Sequence, residues 1–195
     1  NFEKAFPADF ISEGVDQTRG WFFTLHAIAG MLFDSVAFRN VVSTGLVLDA
    51  EGRKMSKRLG NAVDPFFVMD KYGADAVRFT ILYLAPLGQD VRMEVDLEAQ
   101  DIPSMEVGRN FANKIWNAGR FLKMKQEEFG EIEYDDSYSK TLADKWIESK
   151  LHKSINAINE HLDNFKVTEY SKTLYDFIWS DFCDWYIECL KIESY

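Results

Sequence analysis

A mixed α/β segment followed by an all-α bundle is the fold class that three features of this 195-residue sequence predict. The first is a dense apolar stretch of helix length, Phe22 to Phe33. The second is the β-branched run Val41-Val42-Ser43-Thr44-Gly45-Leu46-Val47-Leu48 behind it, a strand after a helix in the α/β manner. The third is the loss of strand signals after Pro86-Leu87-Gly88, where long helical periodicities take over. Two domains, 1–86 and 87–195, are expected on that basis.

Each element has its own local grounds. Phe22, Phe23, Leu25, Ile28, Met31, Leu32 and Phe33 leave little polar surface on the first helix, so it is expected to be mostly buried. The strand over 41–48 is ended by the turn signal Asp49-Ala50-Glu51-Gly52, and a basic loop from Arg53 to Asn61 follows. Asp64-Pro65 marks a helix start, with Asp64 as N-cap and Pro65 at the first position, where its missing N–H costs nothing. Gly73 breaks that helix, and Ala74 to Tyr83 begins another. In the second half Phe111, Ile115, Ala118 and Leu122 recur three or four apart. So do Ile147, Leu151, Ile155, Ile158 and Leu162, and again Tyr170, Leu174, Ile178, Phe182 and Trp185. Three such stripes make the core of a bundle, and Trp116, Trp179 and Trp185 are expected within it. Glu127 to Ser139, acidic and poor in aliphatics, reads as a solvated connection.

Apolar residues make up 47% of the chain, enough for a sizeable core, while 22 Lys plus Arg against 32 Asp plus Glu leave a net charge of −10. That balance excludes a wholly basic DNA-coating protein, and no DNA partner is expected. It leaves room for a local basic face that binds other nucleic acid. Cys183 and Cys189 lack the paired spacing of a zinc site and read as core residues in a reducing compartment, so no metal site is expected. His26, His152 and His161 are scattered and read as structural or surface residues. No run of about 18 apolar residues and no basic-then-apolar leader occurs, so the expectation is a cytoplasmic protein without a membrane partner. The missing initiator Met and the end at Tyr195 without a helix stop lead us to expect a piece of a longer protein.

The loop Lys54-Met55-Ser56-Lys57-Arg58 is the feature richest in chemistry. Two lysines three apart, in a loop flanked by Gly52 and Gly60, can converge on one anionic group, and polyphosphate is the natural candidate. In nucleotidyl transfer, charge builds on the leaving pyrophosphate, and ammonium groups that reach it only in the transition state lower the barrier. Taken alone, a K-x-x-K loop is more often a solvated basic turn.

Its surroundings reverse that reading. Gly45 through Asn61, with Lys54-Met55-Ser56-Lys57-Arg58 inside, resembles the KMSKS signature of class I aminoacyl-tRNA synthetases. Upstream, Glu13-Gly14-Val15-Asp16-Gln17-Thr18-Arg19-Gly20-Trp21-Phe22 resembles the segment that approaches the aminoacyl-adenylate in isoleucyl-type members. The resemblance implies the second half of a Rossmann-like catalytic domain, then an anticodon-binding helical bundle. It implies ATP as substrate, with Mg²⁺ carried by ATP rather than by a protein cage. It makes Lys57 the main phosphate-stabilising residue, Lys54 its auxiliary, and Ser56 a loop-ordering or phosphate-contacting hydroxyl. The backbone at Val47 and Leu48 would hold adenine, Glu13, Asp16 and Gln17 would sit near the ribose and amino-acid end of the adenylate, and Trp21 would wall the aliphatic pocket. Arg58 departs from the signature's last Ser, a variant the isoleucyl branch accommodates.

The rear half resembles the same family with valyl-type wording. Pro86-Leu87-Gly88-Gln89-Asp90, Gly108 to Ala118 and Phe182-Cys183-Asp184-Trp185-Tyr186-Ile187-Glu188 carry it. From Ser104 to Lys125 the basic residues Arg109, Lys114, Arg120, Lys123 and Lys125 face Glu106 alone, a face suited to an RNA backbone. Arg109, Lys114, Arg120 and Lys123 are thus candidate tRNA contacts. The resemblance implies an isoleucine–tRNA ligase, with a valine–tRNA ligase as the alternative and a non-catalytic tRNA-binding paralogue as a rival of another class. The family's first signature, H-I-G-H, is not in this sequence, so the isolated chain is expected not to activate an amino acid.

Overall fold

The computed structural model describes residues 2–130 and 139–193. The chain divides into two compact units, residues 1–62 with 84–95 and residues 63–83 with 96–195.

The first unit opens with α1 (Phe2–Ala5), β1 (Ala8–Gly14), a 3-10 turn (Val15–Arg19), α2 (Trp21–Phe33) and β2 (Phe38–Thr44). β1 and β2 pair in parallel from Ala8↔Phe38 to Gly14↔Thr44, so β1-α2-β2 is a crossover unit and both strands end at the same edge. Phe22 anchors α2, buried and edge-on to Phe38. The helix is not mostly buried as its composition suggests: Phe22 and Ala29 are covered, whereas Phe23, Met31 and Leu32 are 65%, 77% and 69% exposed. One face packs on the strand pair and the apolar residues of the other faces remain open.

The run 41–48 is not one strand. It breaks after β2 and resumes as β3 (Val47–Leu48), which pairs in parallel with β4 (Val91–Arg92). The physical reason is at Gly45, where a Cβ would lie 2.0 Å from the Gln89 carbonyl oxygen, and at Leu46, whose amide donates to Asp90 Oδ1 at 2.7 Å. The segment 89–90 therefore crosses against the chain where a continuous strand would need side-chain space. β1 itself carries no alternating signal, since only Ile11 within it is buried.

The second unit is helical. Its elements are α3 (Pro65–Tyr72), α4 (Ala74–Leu84), a 3-10 turn (Pro103–Met105), α5 (Glu106–Phe129), α6 (Leu142–Asp163), α7 (Val167–Asp176), a π-helix (Phe177–Tyr186) and α8 (Ile187–Glu193). Asp64 caps α3 by accepting from the Phe66 amide at 3.0 Å, Pro65 opens it, and Gly73 ends it at φ +91°. A capping box starts α6, with the Asp144 amide donating to Thr141 Oγ1 and the Thr141 amide to Asp144 Oδ2. Phe111 and Ile147 are buried, while Ile115, Leu122, Leu151 and Phe182 line an apolar cavity of about 430 Å³ between α5, α6 and the π-helix.

Two tryptophans expected in the core are exposed: Trp116 by 74% and Trp185 by 65%. Trp116 lies off the Phe111–Ile115–Leu122 stripe. Trp185 is displaced by the π-helix, whose wider turn brings Ile178, Phe182 and Tyr186 onto the cavity face instead. Of the connection expected at 127–139, residues 127–129 close α5, and 131–138 lie outside the described residues.

Candidate functional site

The candidate site lies in the first unit, at the end of the parallel pair. Glu13 faces Ser43 and Gly14 faces Thr44 in the register, so Glu13 lies in the carboxyl end of β1, Asp16 and Gln17 follow it, and β3 follows the carboxyl end of β2. Ligands of open α/β sheets bind at that edge. Asp16 Oδ2 accepts from Gln17 Nε2 at 3.3 Å, and Gln17 Oε1 accepts from the Trp21 amide at 3.0 Å, so Gln17 holds the start of α2. Glu13 is exposed and its Oε1 accepts from the Gly14 amide. Trp21, 44% exposed, lines an apolar cavity of about 390 Å³ with Phe2, Phe6, Ile11, Leu25 and Phe33.

β3 leads directly into the basic loop, which folds back on it. Met55 donates its amide to Val47 O at 3.1 Å, Leu48 bridges to Lys54, and Met93 donates to Leu48 O at 2.9 Å. Within the loop, Leu59 donates its amide to Ser56 O and Oγ, both at 3.2 Å, and Gly60 donates to Lys57 O. Gly60 takes φ +66°, which lets this tight turn close without Cβ strain. Lys54, Lys57 and Arg58 are exposed, and among the described residues no carboxylate pairs with any of them. One short, hydrogen-bonded loop thus holds three cations that no described carboxylate neutralises.

Asp49 belongs to the turn signal that ends the strand, yet it is 4% exposed. Its carboxylate accepts from the Arg53 amide at 2.8 Å, from Arg53 Nε at 2.9 Å and from Asn61 Nδ2 at 2.9 Å. Those hydrogen bonds, Asn61's first, hold the Asp49 carboxyl below the usual carboxylate range against the opposing effect of burial. The only sequence signal for this role is an acidic residue with no other task at the strand end. Among the described residues no cluster of three or more His, Cys, Asp or Glu side chains forms a metal cage.

The candidate tRNA contacts lie on α5 in the second unit. Arg120 and Lys123 follow Arg109 by about three and four turns, so the three exposed cations share one side of the helix with Trp116. Arg109 sits over the Tyr72 ring at 5.8 Å, and Lys123 is 4.0 Å from Glu127. Lys114 does not join them. It is half-buried, 2.6 Å from Asp184 and over the Trp179 ring at 4.8 Å, tying α5 to the π-helix.

Two family models match the chain. Residues 1–94 match the class I tRNA synthetases (I, L, M and V), and residues 144–195 match the anticodon-binding domain of tRNA ligases. The chain belongs to the class I aminoacyl-tRNA synthetases. Within that family it is similar to the valine–tRNA ligase of Nostoc sp., at 38% identity over 96% of the chain and 20% of that protein. It is also similar to the isoleucine–tRNA ligase of Cytophaga hutchinsonii, at 42% over 95% of the chain and 16% of that protein. The valine–tRNA ligase of Bacillus subtilis is 39% identical over the whole chain and 21% of its own length. The chain thus spans about a fifth of the synthetases it matches. The fold is shared with solved synthetases. Mycobacterium tuberculosis methionyl-tRNA synthetase bound by methionyl-adenylate aligns over 97% of this chain and 35% of that one, with TM-score 0.69 and 24% identity. The Agrobacterium radiobacter K84 LeuRS in ternary complex with tRNA and LeuAMS aligns over 90% and 22%, with TM-score 0.67 and 19% identity. No helix among the described residues is long and apolar enough to cross a membrane.

Proposed function

We propose that this chain is the part of a cytoplasmic aminoacyl-tRNA ligase that stabilises the leaving pyrophosphate during amino-acid activation and contributes a tRNA-binding face. In this reading ATP and a branched aliphatic amino acid form the aminoacyl-adenylate, and the acyl group passes to tRNA. Isoleucine is the leading substrate, on the likeness of residues 13–22 to isoleucyl-type members. Valine is the alternative, supported as well by the valine–tRNA ligases of Nostoc and Bacillus subtilis.

The observation that carries the reading is the loop with Lys54 and Lys57 unpaired and its backbone pinned. Unpaired ammonium groups on an ordered loop have their charge available for an anion that develops in the transition state. Lys57 would meet the pyrophosphate, Lys54 would assist, and Ser56, whose Oγ accepts from the Leu59 amide, orders the turn. Mg²⁺ would arrive with ATP. Val47 and Leu48 would hold adenine, Glu13, Asp16 and Gln17 the adenylate, and Trp21 the aliphatic side chain.

In the intact ligase, Lys57→Ala is expected to lower kcat for pyrophosphate exchange by about two orders of magnitude with little change in KM for the amino acid, because the contact strengthens in the transition state. Equal losses in amino-acid binding and in rate would overturn the assignment. Exchange driven by isoleucine against valine distinguishes the two substrates.

A further inference from the structure

A solvated basic turn needs backbone hydrogen bonds and little else. This loop has more. Its two ends are joined by buried side chains, Asp49 at 4% exposure and Asn61 at 7%. Asn61 uses both ends of its amide: Oδ1 accepts from the Ser56 amide at 2.9 Å, and Nδ2 donates to Asp49 Oδ2 at 2.9 Å and to Lys54 O at 3.3 Å. One side chain therefore grips the backbone on both sides of Met55. Asp49, on the strand end, holds that side chain in place and also takes the Arg53 amide. Burying a carboxylate and an amide costs free energy that the hydrogen bonds offset only if all of them form together. A loop that had merely to reach solvent would not require it.

We propose that Asp49 and Asn61 form a positioning clasp that sets the backbone of Lys54, Ser56 and Lys57, so that the two ammonium groups meet the developing pyrophosphate. This inference rests on the proposed role of the loop. The clasp itself touches no substrate. It acts through the lysines, whose long side chains aim only as well as the backbone beneath them. A misplacement of about 1 Å at such a site costs about a hundredfold in rate.

The test uses the intact ligase that carries this segment. Asn61→Asp places a second carboxylate against Asp49 and leaves Lys54 O without its donor. Asn61→Asp is expected to lower kcat for pyrophosphate exchange by about tenfold to a hundredfold, with KM for ATP and amino acid changed less than about threefold. It should also speed hydrogen exchange at the Ser56 amide. Asn61→Ala, which adds no charge, should give the same pattern at smaller size, and it carries the test if Asn61→Asp does not fold. Unchanged kcat, or a lowered kcat with no faster exchange at the Ser56 amide, would overturn the clasp. Lys57→Ala separates the two claims. If it leaves kcat intact while Asn61→Asp still frees the Ser56 amide, the clasp holds the loop but the loop does not serve pyrophosphate.

Discussion

The Gly108 amide donates to the Thr80 hydroxyl at 3.0 Å, and the two residues meet where α5 passes α4 with no side chain between the backbones. A Cβ at 108 would lie 2.1 Å from Ala76 O and 2.5 Å from Thr80 Oγ1. Thr80 is fully buried, and its hydroxyl also donates to Ala76 O at 2.8 Å, so it links both helices. Gly108→Ala must push the helices apart, and overpacking of that kind costs about 1–3 kcal/mol. Thr80→Val leaves a buried N–H without an acceptor, about 1–3 kcal/mol again. Because the residues touch, the losses should not add in the double variant. Urea denaturation measures this, and a Gly108→Ala midpoint equal to wild type would contradict the close approach.

Features set by local chemistry were legible in the sequence. Asp64-Pro65 and Gly73 bound α3 because an N-cap carboxylate, a ring without N–H and a positive φ act within a few residues. Phe111 and Ile147 point inward because helical spacing fixes which side they share. What was not legible depends on distant neighbours. The break at Gly45 comes from residues 89–90, and the neutralisation of Lys114 comes from Asp184, which sequence spacing does not connect to it. The stripe ending in Trp185 assumed α-helical turns, and the wider π-helix moved that residue to solvent. In the candidate site, the lysines could be read from their spacing. The clasp beneath them could not, since nothing in Asp49-Ala50-Glu51-Gly52 says which acid is buried.

Acid should expose a second buried carboxylate. Asp101, 7% exposed, accepts from Lys71 Nζ at 2.5 Å and from Tyr72 OH at 3.1 Å. The Lys71 hydrogen bond, helped by Tyr72 and by the Ile102 amide, holds the Asp101 carboxyl below its ordinary range despite burial. The same hydrogen bond raises Lys71. A lowered carboxylate contributes stability that is present above its unfolded value, near 3.8, and lost as pH falls through the folded value. The raised Lys71 contributes below 10.5 and loses that contribution as pH rises through its folded value. Asp101→Asn should therefore be less stable than wild type at neutral pH, with the gap closing as pH drops below 3.8. Urea midpoints across the acid range measure it, and a gap independent of pH would refute the assignment.

The basic side of α5 separates two kinds of lysine and arginine. Arg109, Arg120 and Lys123 are exposed on one side of the helix, whereas Lys114 is held by Asp184 and stacked on Trp179. A cation that neutralises an RNA phosphate releases counterions, so each one removed should flatten the dependence of log K on log salt by about 0.7–0.9. In the intact ligase, Arg120→Gln is expected to weaken tRNA binding and reduce that slope by about one. Lys114→Met should leave the slope unchanged and instead lower the stability of the bundle, by about 0.2–1 kcal/mol for a partly exposed ion pair. Pairing it with Asp184→Asn in a double-mutant cycle isolates that coupling. An unchanged slope in Arg120→Gln would show that RNA is not read by the exposed side of α5, and a reduced slope in Lys114→Met would show that Lys114 leaves Asp184 to meet RNA.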